Sequence, residues 1–128
     1  MLPQTHVRVT ASKTLTDAEL GVVQYVAPTA DAQVVVTLPA AAAGKTVRVV
    51  NGGRLAGGPV GSGSSKSVNV VVRPAGTDTM TGNGFTPAAA KGASSAKATH
   101  FAGGYIDLVA GAATWYVKET KGTWAREA

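Results

Sequence analysis

The chain is expected to be all-β: a compact antiparallel β-sandwich or β-barrel-like (β-tulip-like) subunit. Three observations carry that expectation. Apolar residues alternate with polar ones over short runs, the spacing of strands with one buried face. No run has an apolar face at helical spacing. The apolar residues are also of an unusual kind, with 23 Ala and 18 Val against only 16 of Leu, Ile, Met, Phe, Trp and Tyr combined. Valine suits strands.

The elements follow in order. His6–Thr10 alternates, with Val7 and Val9 on one face. Thr14-Leu15-Thr16-Asp17-Ala18-Glu19-Leu20-Gly21 predicts one short helical turn, with Thr16 as cap and Gly21 as stop. Val22–Val26 and Gln33–Leu38 predict the next strands, the latter with Val34, Val36 and Leu38 on one face. Val47 and Val49 share a face of the following strand, and Val68, Val70 and Val72 share one in Ser67–Arg73. Tyr105–Val109 turns Ile106 and Leu108 inward and Asp107 outward, towards solvent or a subunit partner. Ala113–Lys118 places Trp115 with Val117. The alternation is read throughout as antiparallel.

Two stretches read as long Gly/Ala-rich loops. Asn51–Lys66 carries six glycines and a proline. Gly76–Gly104 has no clear element, and its Ala88–Ala98 section is read as loop with at most a turn. A structureless loop of that length is unusual in a compact domain, so packing against a neighbouring subunit or a larger surface is expected for it. Residues 1–13 are read as an N-terminal arm and 14–128 as a single β-rich domain, together a complete small gene product.

Small side chains bury little area each. A valine–alanine core is therefore thin, and shared burial between subunits is expected to supplement it. The net charge of +5 is spread along the chain, without the aromatic interleaving of a single-strand nucleic-acid binder. It reads as a solvated basic surface. No signal peptide and no apolar span of membrane length is seen. Cysteine is absent, which removes disulfides and thiolate ligands.

Candidate chemistry is thin. Val34-Val35-Val36-Thr37-Leu38-Pro39, four alanines and Gly44-Lys45-Thr46 resemble a P-loop in spacing. Proline replaces its first glycine, however, and a strand pattern follows where a helix is needed. The stretch is read as strand, tight helical or irregular turn, strand, with Ala40–Ala43 able to make about one turn and Lys45 a solvated loop charge. His6 and His100 have no partner at metal-ligand spacing. Gly61–Ser65 is a loop, not a nucleophile elbow. Asp78–Gly84 lacks the acidic positions of a calcium loop. Trp115 reads as core, with an aromatic platform for a sugar as the alternative. Trp124 is expected to cover a subunit edge or lie in an interface. No enzyme and no cofactor is expected.

The order of phrases resembles a β-rich module of tailed-phage virion proteins, seen in head decoration (cement) proteins and similar modules of head and tail fibres. The opening phrase is Thr14–Gly21, an apolar strand, then Val36-Thr37-Leu38-Pro39-Ala40-Ala41-Ala42-Ala43-Gly44. Val47–Asn51 and Val68–Val70 follow, and Gly111–Val117 with Trp115 closes it. The resemblance covers roughly 14–118 and carries no catalytic residue. It implies a structural virion protein made in the host cytoplasm and bound, as an oligomer (a homotrimer), to the outside of the capsid. The partner implied is the major capsid protein, with no nucleic acid or membrane. The alternative it leaves is a tail fibre, head fibre or spike component recognising a host surface glycan. On this reading Leu2, Gln4, His6, Arg8 and Lys13 of the arm contact the capsid. Val34, Val36, Val47, Val49, Tyr105, Trp115 and Trp124 form the core or the oligomer interface.

Overall fold

The computed structural model describes residues 6–28, 33–52, 69–82, 86–95 and 103–127, with His6 described by its backbone alone. The strands are β1 (His6–Val9), β2 (Lys13–Thr14), β3 (Val23–Val26), β4 (Val34–Thr37), β5 (Thr46–Asn51), β6 (Val70–Arg73), β7 (Thr79–Thr81), β8 (Ala93–Ser95), β9 (Gly104–Ala110), β10 (Thr114–Lys121) and β11 (Ala125–Arg126). They form a six-stranded sheet, β1-β3-β5-β9-β10-β7, and a five-stranded sheet, β11-β8-β6-β4-β2. Neither closes into a barrel among the described residues.

Both sheets are mixed, which corrects the antiparallel expectation. From β1 to β9 the chain changes sheet at every connection. Through β6, each strand that returns to its own sheet after one pass through the other keeps its original direction. Hence β1, β3 and β5 are parallel neighbours, and so are β2, β4 and β6. Only later do antiparallel pairs appear: β5–β9, β9–β10, β6–β8 and β8–β11. Alternation reports that one face is buried; it does not report strand direction.

The inward residues of both sheets join one cluster. It holds Val9, Val26, Val47, Val49, Ile106, Leu108 and Trp115 from one sheet with Val34, Val36, Val70, Val72 and Ala93 from the other. Leu15, Leu38 and Trp124 add to it from strand ends. A polar link crosses the same interior: Asn51 Nδ2 donates to Ser95 Oγ at 3.2 Å, both residues being buried.

Several expectations change. The stretch read as an arm is edge strand from His6 on, and Val9 is only 2% exposed. Gly76–Gly104 contains β7 and β8, short strands whose alanine, serine and threonine carry little hydrophobic signal. The expected loop at 51–66 lies mostly outside the described residues. No helical turn forms at 40–43; a single tight turn closes with Lys45 N–H donating to Ala42 C=O. Gly44 takes φ +93° there. Asp17–Glu19 does make one 3-10 turn, with Thr16 N–H donating to the Glu19 carboxylate at 2.9 Å and Gly21 at φ +83° just beyond it.

Candidate functional site

The outward face of the six-stranded sheet gathers the chain's three tyrosines. Tyr25, Tyr105 and Tyr116 each alternate with a core residue, so each points away from the interior. Register joins Arg8, Tyr25, Val50, Tyr105 and Lys121 into one row across five strands. Arg48 lies opposite Asp107 on the same face.

That pair is bidentate. Arg48 Nε meets Asp107 Oδ1 at 2.6 Å, and Nη2 meets Oδ2 at 2.8 Å. The guanidinium also lies 4.0 Å from the centre of the Tyr105 ring, a cation–π stack. The Asp107 hydrogen bond holds the Arg48 pKa above its ordinary value. Tyr105 O–H donates to Glu119, which raises the Tyr105 pKa. Asp107 was expected to face solvent or a partner; it faces outward but is largely covered by Arg48, its side chain 17% exposed.

A groove of about 240 Å³ opens beside this pair. Gly21, Val22, Val23, Thr46, Arg48, Asp107, Val109 and Lys118 line it. Its upper wall is the turn after the 3-10 segment, held down by Gly21 N–H donating to Thr46 C=O at 3.2 Å. A β-bulge shapes the opposite wall: β10 pairs Val117 with Leu108 and Glu119 with Asp107, so Lys118 is the extra residue. Bulges re-aim side chains in this way.

The remaining described carboxylates hold elements together. Lys13 pairs with Glu19 and lowers its pKa, its hydrogen bond being the largest cause. Lys45 is not a solvated charge: it meets Asp17 at 2.7 Å and the Ala40 carbonyl at 2.9 Å. Asp78 accepts from Ala41 N–H at 2.8 Å. Arg73 grips Glu127 at 2.6 and 3.1 Å, and Gly92 N–H donates to the same carboxylate at 3.0 Å. Every described carboxylate thus has a partner, and no three His, Asp or Glu side chains converge on a metal-sized space among the described residues.

The residues singled out from sequence are dispersed. Val34, Val36, Val47, Val49 and Trp115 are core, at most 4% exposed. Trp115, fully buried, offers no platform to a sugar. Tyr105 is outward and half-buried. Trp124 is 7% exposed beside β11, the edge strand of its sheet, and its indole N–H donates to Lys121 C=O. Arg8 is exposed on edge strand β1, while Lys13 is tied to Glu19. Leu2, Gln4, His100 and Gly61–Ser65 lie outside the described residues, as does the end of Asp78–Gly84. Arg48 and Lys118 were missed as groove residues. Opposite charges at outward positions of two strands were the available signal for the Arg48–Asp107 pair. Nothing in the sequence marks the bulge.

No protein-family model, curated protein or solved structure matches the chain. No helix among the described residues is long and apolar enough to cross a membrane.

Proposed function

We propose that the protein is a structural virion component, a decoration (cement) protein that binds the outside of a phage head as a homotrimer. In this reading the two sheets are the layers of a sandwich. The observation that carries the reading is where the module-like phrases fall. Thr14–Gly21 forms the end of β2 and the capped turn, Val36–Gly44 is the corner between β4 and β5, and Gly111–Val117 is the β9–β10 turn with buried Trp115. These are the corners and anchors that a fold must keep.

Two further features support it. The described carboxylates are spent on holding elements together, which suits a rigid building block. The first strands of both sheets, β1 and β2, are edges. Edge strands offer unpaired backbone groups to another chain. Arg8 and the 39% exposed Val7 lie on the first of them, next to residues 1–5. Binding only the assembled shell would stabilise that shell by linkage.

The test is the copy number of the protein in purified virions, measured against the major capsid protein. Stoichiometry close to that of capsomers supports decoration. A handful of copies transfers the reading to a fibre or spike, and absence from the virion overturns both. Deletion of residues 1–5 with Arg8→Glu is expected to abolish head binding and leave the oligomer intact.

A further inference from the structure

We infer that the groove beside Arg48 and Asp107 binds one pyranose unit of an acidic saccharide. The inference does not depend on a role in the virion.

The groove's size comes first. About 240 Å³ holds roughly eight waters at ~30 Å³ each, room for a single sugar ring. Its chemistry comes second. Arg48 commits Nε and Nη2 to Asp107, while Nη1 makes no protein bond among the described residues. The carboxylate keeps further lone pairs beside it, since each oxygen accepts more than one bond. A fixed donor next to a fixed acceptor matches two neighbouring hydroxyls. The stack on Tyr105 and the Asp107 bonds hold the guanidinium in place. Little ordering entropy is then lost on binding.

The charge comes third. Lys118 stands in the groove by virtue of the bulge and has no ion-pair partner among the described residues. Arg48, Asp107 and Lys118 sum to one net positive charge in the groove. A carboxylate on the sugar ring satisfies it. The walls come last. Val23 and Val109 give apolar surface for the ring's C–H face, and half-exposed Tyr116 pairs with Val109 across the two strands. Gly21, with no heavy atom within 4 Å of where its Cβ would be, leaves the mouth open.

The experiment is a titration of the full chain with 3′-sialyllactose and with a hexuronate trisaccharide, followed by amide NMR. Lactose and a neutral trisaccharide serve as uncharged counterparts. Expected are saturable shifts at Val23, Asp107, Val109 and Lys118 with an acidic probe, and weaker binding of the uncharged ones. Lys118→Glu should weaken the acidic probe by about tenfold or more, the scale of a lost charge-assisted bond. Thr46→Trp, which fills the groove from an exposed position, should abolish binding. Arg126→Glu makes the same change in net charge on exposed β11 and should leave binding intact. The inference is overturned by the absence of saturable shifts with either acidic probe. Equal loss in Lys118→Glu and Arg126→Glu, or neutral sugars binding as well as acidic ones, overturns it too.

Discussion

Replacing Gly92 by alanine tests the tightest approach of a backbone atom to any glycine among the described residues. The added Cβ would sit 1.8 Å from the Val72 carbonyl oxygen, 2.8 Å from its carbon and 2.9 Å from Arg73 Cα. Real Cβ contacts essentially never fall under 3.0 Å, and backbone cannot swing aside as a long side chain can. β8 must therefore move off β6 by more than an ångström. That movement disturbs the Val72–Ala93 pairing and the two bonds between Gly92 and Glu127. Three bonds at about 1 kcal/mol each give roughly 3 kcal/mol. Loosened packing around fully buried Val72 and Ala93 raises the loss to about 4 kcal/mol. For a chain of this length that corresponds to a fall of ~10–20 °C in Tm. Urea unfolding of Gly92→Ala beside Gly44→Ala is the assay. Gly44 has open space around its Cβ position and only its φ of +93° to object, a cost of about 1 kcal/mol. A Gly92→Ala protein no less stable than Gly44→Ala would refute the close approach of β8 to β6.

Other outcomes follow from the same contacts. Burial pushes the Glu127 pKa up, but the Arg73 hydrogen bond, the Gly92 N–H and the nearby positive charges outweigh it, so the folded value lies below 4.5. The charged latch therefore contributes stability above pH 4.5 and loses it as the pH falls through the lower folded value. Glu127→Gln should flatten that acid limb and cost about 1 kcal/mol at neutral pH, read by urea midpoints at a series of pH values. Trp124→Ala should cost about 3 kcal/mol and speed proteolysis of the C-terminal residues, because the indole is the apolar anchor next to β11. Deletion of residues 1–13 should destabilise the subunit as well as any complex, since it removes buried Val9. Circular dichroism melting compares it with deletion of residues 1–5.

Strand positions were legible wherever branched aliphatic residues alternate: 34–38, 47–51 and 105–109 need only a buried face to declare themselves. β7 and β8 were not. Thr-Met-Thr and Ala-Ser-Ser owe their place to neighbours on other segments, which no local pattern records. Direction was equally hidden, because it depends on which sheet each connection enters. The Thr16–Gly21 turn was readable because a capping residue, an acidic third position and a stopping glycine are local signals. The groove was not, because it needs Gly21, Arg48, Asp107 and the bulged Lys118 from four separate segments. Lys45 was misread as a solvated charge because its actual partner, Asp17, is distant in sequence.

The sheet-to-sheet winding bears on how the chain is born at the ribosome. None of the first six strands hydrogen-bonds to the strand before or after it in sequence; each pairs with the strand two positions away. β5 meets its second neighbour only when β9 emerges, and β9 lies at the centre of the larger sheet. Among the described residues the one pairing between consecutive strands, β9 with β10, is made near the end of synthesis. By the end of β6 the chain holds two parallel three-stranded halves, β1-β3-β5 and β2-β4-β6, each still lacking the neighbour that β9 or β8 brings.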